Sequence, residues 1–367
     1  MNAYHSFLDY LEETPTIIQV VWFSSVLFLL LILVLVLYLK YLRSHLRQNE
    51  RIESVYNKKF ESDLITYLYS GNEDEEITAE QLLIINRLKK STADPFKRKV
   101  LISTLLKLRN EISGEMALSI QNLYIQTGLL NYAIAKLKSK NWELIAKGIN
   151  ELTQFHIKEV HDEIIHFINH PKNEVRKEVQ LYSVNLFNFK GLSFLNIIET
   201  KLSEWDQIQL LEVLQKFGEQ QTFDVKPWLQ SSNDSVISFA LKLTEIYNQF
   251  DAIEELIALL NYPDEKIRIE AIQVLNYFTI VEAKSILKDN FHSVREIEQI
   301  AVFKMMENVY ELEDEDFILE NIVHPNFEIK LRALKILKDI NIENFNINKQ
   351  IVTNTEFHKI VNFIETN

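Results

Sequence analysis

The sequence predicts an all-α protein, an array of stacked helical hairpins behind a single apolar helix. Three observations carry that expectation. The stretch "NYPDEKIRIEAIQVL", Asn261 to Leu275, returns as "NHPKNEVRKEVQLYS" from Asn169 and as "VHPNFEIKLRALKIL" from Val323. Apolar residues recur every three to four positions, and only six glycines and six prolines interrupt 367 residues. Finally, "IIQVVWFSSVLFLLLILVLVLYL", Ile17 to Leu39, runs 23 residues without a charge.

The apolar run is expected to be a transmembrane helix at 17–39, since about 20 apolar residues span a bilayer. It is retained rather than cleaved, because "MNAYHSFLDYLEETPT" has no basic start. Residues 1–16 then form a short extracytoplasmic N-terminus. Lys40, Arg43, Arg47 and Arg51 follow the run and no Lys or Arg precedes it, which places the rest of the chain in the cytoplasm. Trp22, Tyr38 and Tyr41 stand where interfacial anchors belong. Low glycine with abundant Ile, Asn and Lys suits an AT-rich bacterial genome, and so a bacterial inner membrane. Residues 40–70 continue as a helical stalk, with no Gly or Pro before Gly71. "GNEDEE" breaks it, and Thr78 with Gln81 forms a capping box that starts the next helix. The solenoid is expected over 77–367.

The repeat is defined by a proline in a turn and apolar or small residues four, eight and twelve positions later. Pro263 gives Ile267, Ala271 and Leu275; Pro325 gives Ile329, Ala333 and Leu337; Pro171 gives Val175, Val179 and Ser183. Ser232 gives Val236, Ala240 and Thr244, Ser293 gives Ile297, Ala301 and Met305, and Lys140 gives Leu144, Gly148 and Leu152. A degenerate copy at Leu202 has Asp206, Leu210 and Leu214. The seven anchors share one period of about 31 residues. Such a unit holds two helices of about a dozen residues joined by tight turns. One hairpin cannot bury both faces, so the units stack into a solenoid.

This pattern resembles HEAT repeats, especially the short bacterial version. "HPKNEVRKEV" and "YPDEKIRIEA" are similar to the inter-helix turn of that family, with Arg176 and Arg268 at its basic position. Other units carry Ile237, Glu298 and Lys330 there, and the resemblance runs from about Pro95 to Ile340. It implies an α-solenoid whose second helices line a protein-binding concave face.

Chemistry is mostly excluded. The absence of cysteine removes disulfides, thiolate metal sites and cysteine nucleophiles. The scattered glycines build neither a dinucleotide fingerprint nor a P-loop. No catalytic residue, cofactor or metal is expected. The densest titratable cluster is His156, His161, His166 and His170 with Glu159, Asp162 and Glu163. His166 and His170 are four apart, so a HEAT-fold enzyme with a metal there is one alternative. A turn explains His170 better, since it aligns with Tyr262 and His324. The di-iron hydroxylases of this fold use His-Glu dipeptides, which this chain lacks. Nothing in the sequence identifies the bilin site of the lyases that share the short repeat.

A net charge of -13 argues against nucleic acid. Residues 87–147 nevertheless carry 12 Lys and Arg against 4 Asp and Glu, a balance of +8, while 148–367 carry 21 against 36, or -15. Arg43, Arg47, Arg51, Lys97, Arg98 and Lys99 are therefore candidates for membrane-surface contact, and an anionic-lipid-sensing adaptor is the second alternative. The acidic half favours a basic partner. Candidate partner-binding residues are Trp142, Trp205 and Trp228, with Arg176 and Arg268. "ELEDED", Glu311 to Asp316, is expected as a solvated turn ahead of a helix. The function expected is a membrane-anchored cytoplasmic scaffold that recruits or regulates a protein, or a membrane complex, without catalysis.

Overall fold

The computed structural model describes residues 15–71, 77–218, 223–352 and 354–366. Most of the expected N-terminal segment 1–16 and of the "GNEDEE" break lies outside them. The described residues form nineteen α-helices and no strand. They fall into two compact units, Met1–Ala135 and Lys136–Asn367.

In the first unit, Thr16–Tyr69 is one unbroken helix of 54 residues. Its apolar part is long enough to cross a membrane, and its most apolar window has no buried residue. The last turns differ. Phe60, Asp63, Leu64 and Tyr67 are buried, at the spacing of one helix face, against the helices Ala79–Ser91 and Pro95–Glu111. Arg87 pairs with Asp63 at 2.6 Å, and Gln81 donates to the Tyr67 carbonyl at 2.9 Å. Thr78 and Gln81 form the expected capping box. Asp94 caps Pro95–Glu111, whose Arg98 donates back to the Thr92 carbonyl at 3.0 Å.

The second unit is a solenoid built on seven long helices: Trp142–Gln154, Asn173–Phe187, Glu204–Leu214, Asp234–Ile246, Glu265–Tyr277, Glu296–Val309 and Phe327–Ile340. Each starts shortly after an anchor of the repeat. Their N-caps, Asn141, Lys172, Ser203, Asn233, Asp264, Arg295 and Asn326, keep the period of about 31 residues. Five of them cap with a side-chain oxygen, as Asp264 does for the Ile267 amide at 3.2 Å.

The first helices are much shorter than the expected dozen residues. His161–Ile165 has 5, Lys226–Leu229 has 4, Ile253–Ala258 has 6, and Lys284–Asn290 and Glu315–Asn321 have 7 each. Asn188–Asn196 is a 3-10 helix. For all but Glu315–Asn321 the cause is the way the preceding long helix ends. His156, Asn188, Gly218, Asn248 and Thr279 all have positive φ, and they recur with the period of the repeat. Behind three of them the chain closes a six-residue loop, with the amides of Ile157, Gln249 and Ile280 donating to the carbonyls of Leu152, Thr244 and Leu275 at 3.0 Å. That is the Schellman arrangement. It satisfies the helix's last carbonyls, and it consumes residues that the first helix would otherwise hold.

The inward row also needs two corrections. In the sixth repeat Ile297 is 61% exposed while Glu298, one position later, is buried; Ala301 and Met305 are buried as expected. In the first repeat Leu144 is exposed and Ile145 buried. An apolar template misses Glu298 because its charge is met by the preceding unit. Arg268 donates to both of its carboxylate oxygens, at 2.8 and 2.7 Å.

A second buried charge corrects the solvated reading of Glu311 to Asp316. Asp314 is 1% exposed, bound by Lys284 at 2.8 Å and Lys288 at 2.7 Å, and it accepts the Glu311 amide at 2.8 Å. Burial pushes its carboxyl up, but the hydrogen bonds from Lys284 and Lys288 outweigh that and hold it below the usual aspartate value.

Two outcomes follow. A depressed native pKa contributes stability above the unfolded value, about 3.9, that is lost as pH falls through the lower native one. Asp314→Asn is therefore expected to destabilise the protein at pH 7 by about 3 kcal/mol. In urea titrations the gap to wild type should close below about pH 4; a gap independent of pH would contradict the assignment. Thr279 is β-branched at φ 54, a conformation that costs an L-residue about 1–2 kcal/mol. Thr279→Gly is expected to stabilise by about 0.5–1 kcal/mol in thermal melts.

Candidate functional site

The residues singled out from sequence do not converge on one site. Trp142 opens the helix Trp142–Gln154 and is half-buried, with the Lys172 ammonium 6.0 Å from its ring. Trp205 lies in the first turn of Glu204–Leu214 and is 64% exposed. Trp228 belongs to the short helix Lys226–Leu229 instead and is buried, its indole Nε1 donating to the Asn196 side-chain oxygen at 2.8 Å.

Arg176 and Arg268 hold their own turns. Arg176 Nη1 donates to the carbonyls of His170 at 2.8 Å and Pro171 at 3.1 Å, and Arg268 Nη1 to those of Tyr262 at 2.8 Å and Pro263 at 3.0 Å. Gln299 does related work in the sixth unit, donating to the Phe291 carbonyl at 2.9 Å.

The four histidines are separately engaged. His156 Nδ1 lies 3.1 Å from the Thr153 carbonyl, and His166 bonds to the Asp162 carbonyl of its own helix. His161 packs against the rings of Phe187 and Tyr182, at 4.6 and 6.1 Å. His170 Nδ1 accepts the Lys172 amide at 3.1 Å, as His324 Nδ1 accepts the Asn326 amide at the same distance. That shared turn bond explains their alignment. Among the described residues no three His, Asp, Glu or Cys side chains are grouped as a metal would need.

The basic candidates split similarly. Arg43, Arg47 and Arg51 are exposed along Thr16–Tyr69. Lys97 lies 3.6 Å from Asp94 and 5.4 Å from the Tyr56 ring, and the Arg98 guanidinium stacks 4.0 Å over Tyr132. Lys99 is exposed.

Of the grooves on the second unit, two lie among its middle repeats. One, of about 440 Å³, runs across the starts of Glu204–Leu214, Asp234–Ile246 and Glu265–Tyr277. Lys266 reaches across it to Glu204 at 2.9 Å, and Ser238 donates to Glu270 at 2.6 Å, so its charges are largely matched from within. The other, of about 820 Å³, is lined by Phe187, Phe189, Phe223 and Trp228 with Lys158 and Lys190 at the rim. Sequence reading passed over it. Its signal is the aromatic run "LFNFKGLSF" from Leu186, placed where a first helix was expected.

Breaking the Arg268 pair is expected to strand the Glu298 carboxylate. Arg268→Met should cost about 3–5 kcal/mol, and Arg268→Met/Glu298→Leu should recover most of it in a double-mutant cycle followed by urea unfolding. A single-variant cost under about 1 kcal/mol would mean that the pair is no more than a surface contact.

No family model matches the chain, and no curated protein matches it. Among solved structures, an engineered protein is similar over 83% of this chain and 99% of its own, at 13% identity and a TM-score of 0.34. The complex of CpcE and CpcF of phycocyanin lyase from Nostoc sp. PCC7120 is similar over 81% of this chain and 97% of that one, at 13% identity and a TM-score of 0.24. At such scores neither likeness bears on function.

Proposed function

We propose that the chain is a single-pass membrane protein whose cytoplasmic array holds a partner protein near the bilayer, without catalysis. The helix Thr16–Tyr69 carries this reading: it is apolar and unburied at one end and packed into the first unit at the other. In water its large side chains from Ile17 to Leu39 would form an untenable exposed surface, which lipid covers. Residues 17–39 then span, 40–70 hold the first unit away from the bilayer, and 77–367 form the array. Lys40, Arg43, Arg47 and Arg51 put that array on the cytoplasmic side, with residues 1–16 outside. A bacterial inner membrane fits the composition.

The repeats are of HEAT type in this reading, supported by turns that Arg176 and Arg268 fasten in the same way. The acidic second unit favours a basic surface on the partner, whether that is a soluble protein or a membrane complex, and disfavours nucleic acid. Contact with anionic lipid falls to Arg43 and Arg47, which lie within about 10 Å of Lys40 along the helix. Lys97 sits beside Tyr56, sixteen residues past Lys40, or about 24 Å along an upright helix, where the leaflet's field has decayed.

The protein is expected to resist alkaline carbonate extraction, and a C-terminal tag should be protected from protease in right-side-out cells. A photo-crosslinking side chain at Trp205 is expected to yield a protein adduct in native membranes. Extraction by carbonate would remove the span, and an absence of protein adducts at both Trp205 and Trp142 would remove the scaffold.

A further inference from the structure

The groove beside Asn188–Asn196 occupies the place where the repeat departs furthest from its pattern. A 3-10 helix replaces the α-helical first half of the unit, pressed against the preceding long helix at Gly191. A Cβ at Gly191 would meet the Ser183 carbonyl oxygen at 2.1 Å, so only glycine permits this approach. The close approach sets the groove's floor. Phe189 and Phe223 stack with centroids 4.8 Å apart, and Trp228 stacks on Phe223 at 6.2 Å. Tyr247 meets Phe189 and Phe223 edge-on at 5.0 and 5.5 Å. Bound at its indole by Asn196, Trp228 is fixed in place. The floor is therefore apolar and closely packed: Phe189 and Trp228 are buried within it, and Phe187 and Phe223 are half-buried and reach its surface.

The rim has the opposite character. Lys158 and Lys190 line the groove, and neither pairs with a described carboxylate; Lys158 lies 5.7 Å from the Phe187 ring. Asp224, the acid on the lining, accepts the Lys226 amide with one carboxylate oxygen at 3.0 Å. Asn188 and Ser193 line the groove without a hydrogen bond from their side chains to another described residue. Two unpaired ammonium groups thus face one groove in a region whose charge from 148 to 367 is -15. Acids are plentiful in this region, yet no described carboxylate forms an ion pair with Lys158 or Lys190.

We propose that this groove binds an extended segment of a partner protein, with an aromatic or aliphatic side chain on the Phe189–Phe223–Trp228 floor. An adjacent Asp or Glu meets Lys158 and Lys190, while Asn188 and Ser193 serve the segment's backbone amides and carbonyls. The proposal rests on the reading of the array as a protein scaffold and adds the chemistry of one ligand. The complementarity is the reverse of that on the acidic surface, so a partner would carry both a basic face and an acidic-aromatic segment.

The full-length protein in nanodiscs is panned against displayed random short peptides, and enriched peptides are measured by fluorescence anisotropy. Enrichment of an acid beside an aromatic or aliphatic residue is expected. Lys158→Glu/Lys190→Glu, at two exposed positions that leave the melting curve unchanged, should weaken these peptides by about tenfold or more. Trp228→Phe should remove the tryptophan fluorescence change that they cause. Basic peptides whose binding ignores the double reversal would overturn the groove assignment and leave the scaffold standing. A lack of any enriched peptide would also overturn it, while a protein adduct at Trp205 judges the scaffold separately. Equal weakening by Lys266→Glu, in the other groove, would show a general charge effect and overturn the assignment too.

Discussion

Five of the seven long helices of the second unit return the chain to the next repeat through a single left-handed backbone residue, whereas Glu296–Val309 leaves through Tyr310 at φ -63. His156, Asn188, Gly218, Asn248 and Thr279 supply it at five successive helix ends. Only one of them is the glycine that makes the conformation free of strain. The others pay a local cost that the stacked neighbours offset, because reversing the chain brings one inward row against the next. The N-cap then restarts the helix at a fixed interval, and the period is thereby a property of backbone closure. Side-chain content is free to vary around it.

Such an array would be held mainly by apolar rows, yet two of its tightest joints are ionic. Arg268 reaches from one unit to Glu298 of the next, and Lys284 and Lys288 reach forward to Asp314. Buried pairs of this kind add little net stability over apolar residues of the same shape. They do penalise a neighbour displaced by one residue, since a slip leaves a charge unpaired. In a solenoid whose units contact only their neighbours, register between adjacent units has no other global check.

Much of this was legible in the sequence, for identifiable reasons. Ile267, Ala271 and Leu275 recur with their counterparts because residues four apart share a helix face, and all three are buried as expected. The apolar helix declares itself by length alone. Glu298 was not legible, since its burial depends on an arginine one full repeat earlier. Thr279 gave no sign of a left-handed turn, because threonine is among the residues least suited to one. Gly191 looked like any other glycine until the Ser183 carbonyl was found beside it. The aromatic groove escaped for a related reason: its floor joins Phe189, Phe223 and Trp228, and no local spacing links them.

The unbroken helix from Thr16 to Tyr69 has a last consequence. A continuous helix couples height to direction, advancing about 1.5 Å and turning about 100° with every residue. One residue inserted between Leu39 and Phe60 would barely lengthen the helix, yet would swing its packed end by more than a quarter turn about the helix axis. Length changes there are tolerated only near whole turns, in steps of about seven or eleven residues. The segment acts as a phase-setting shaft: it fixes the direction of its packed face relative to its apolar end as firmly as it fixes the distance between them.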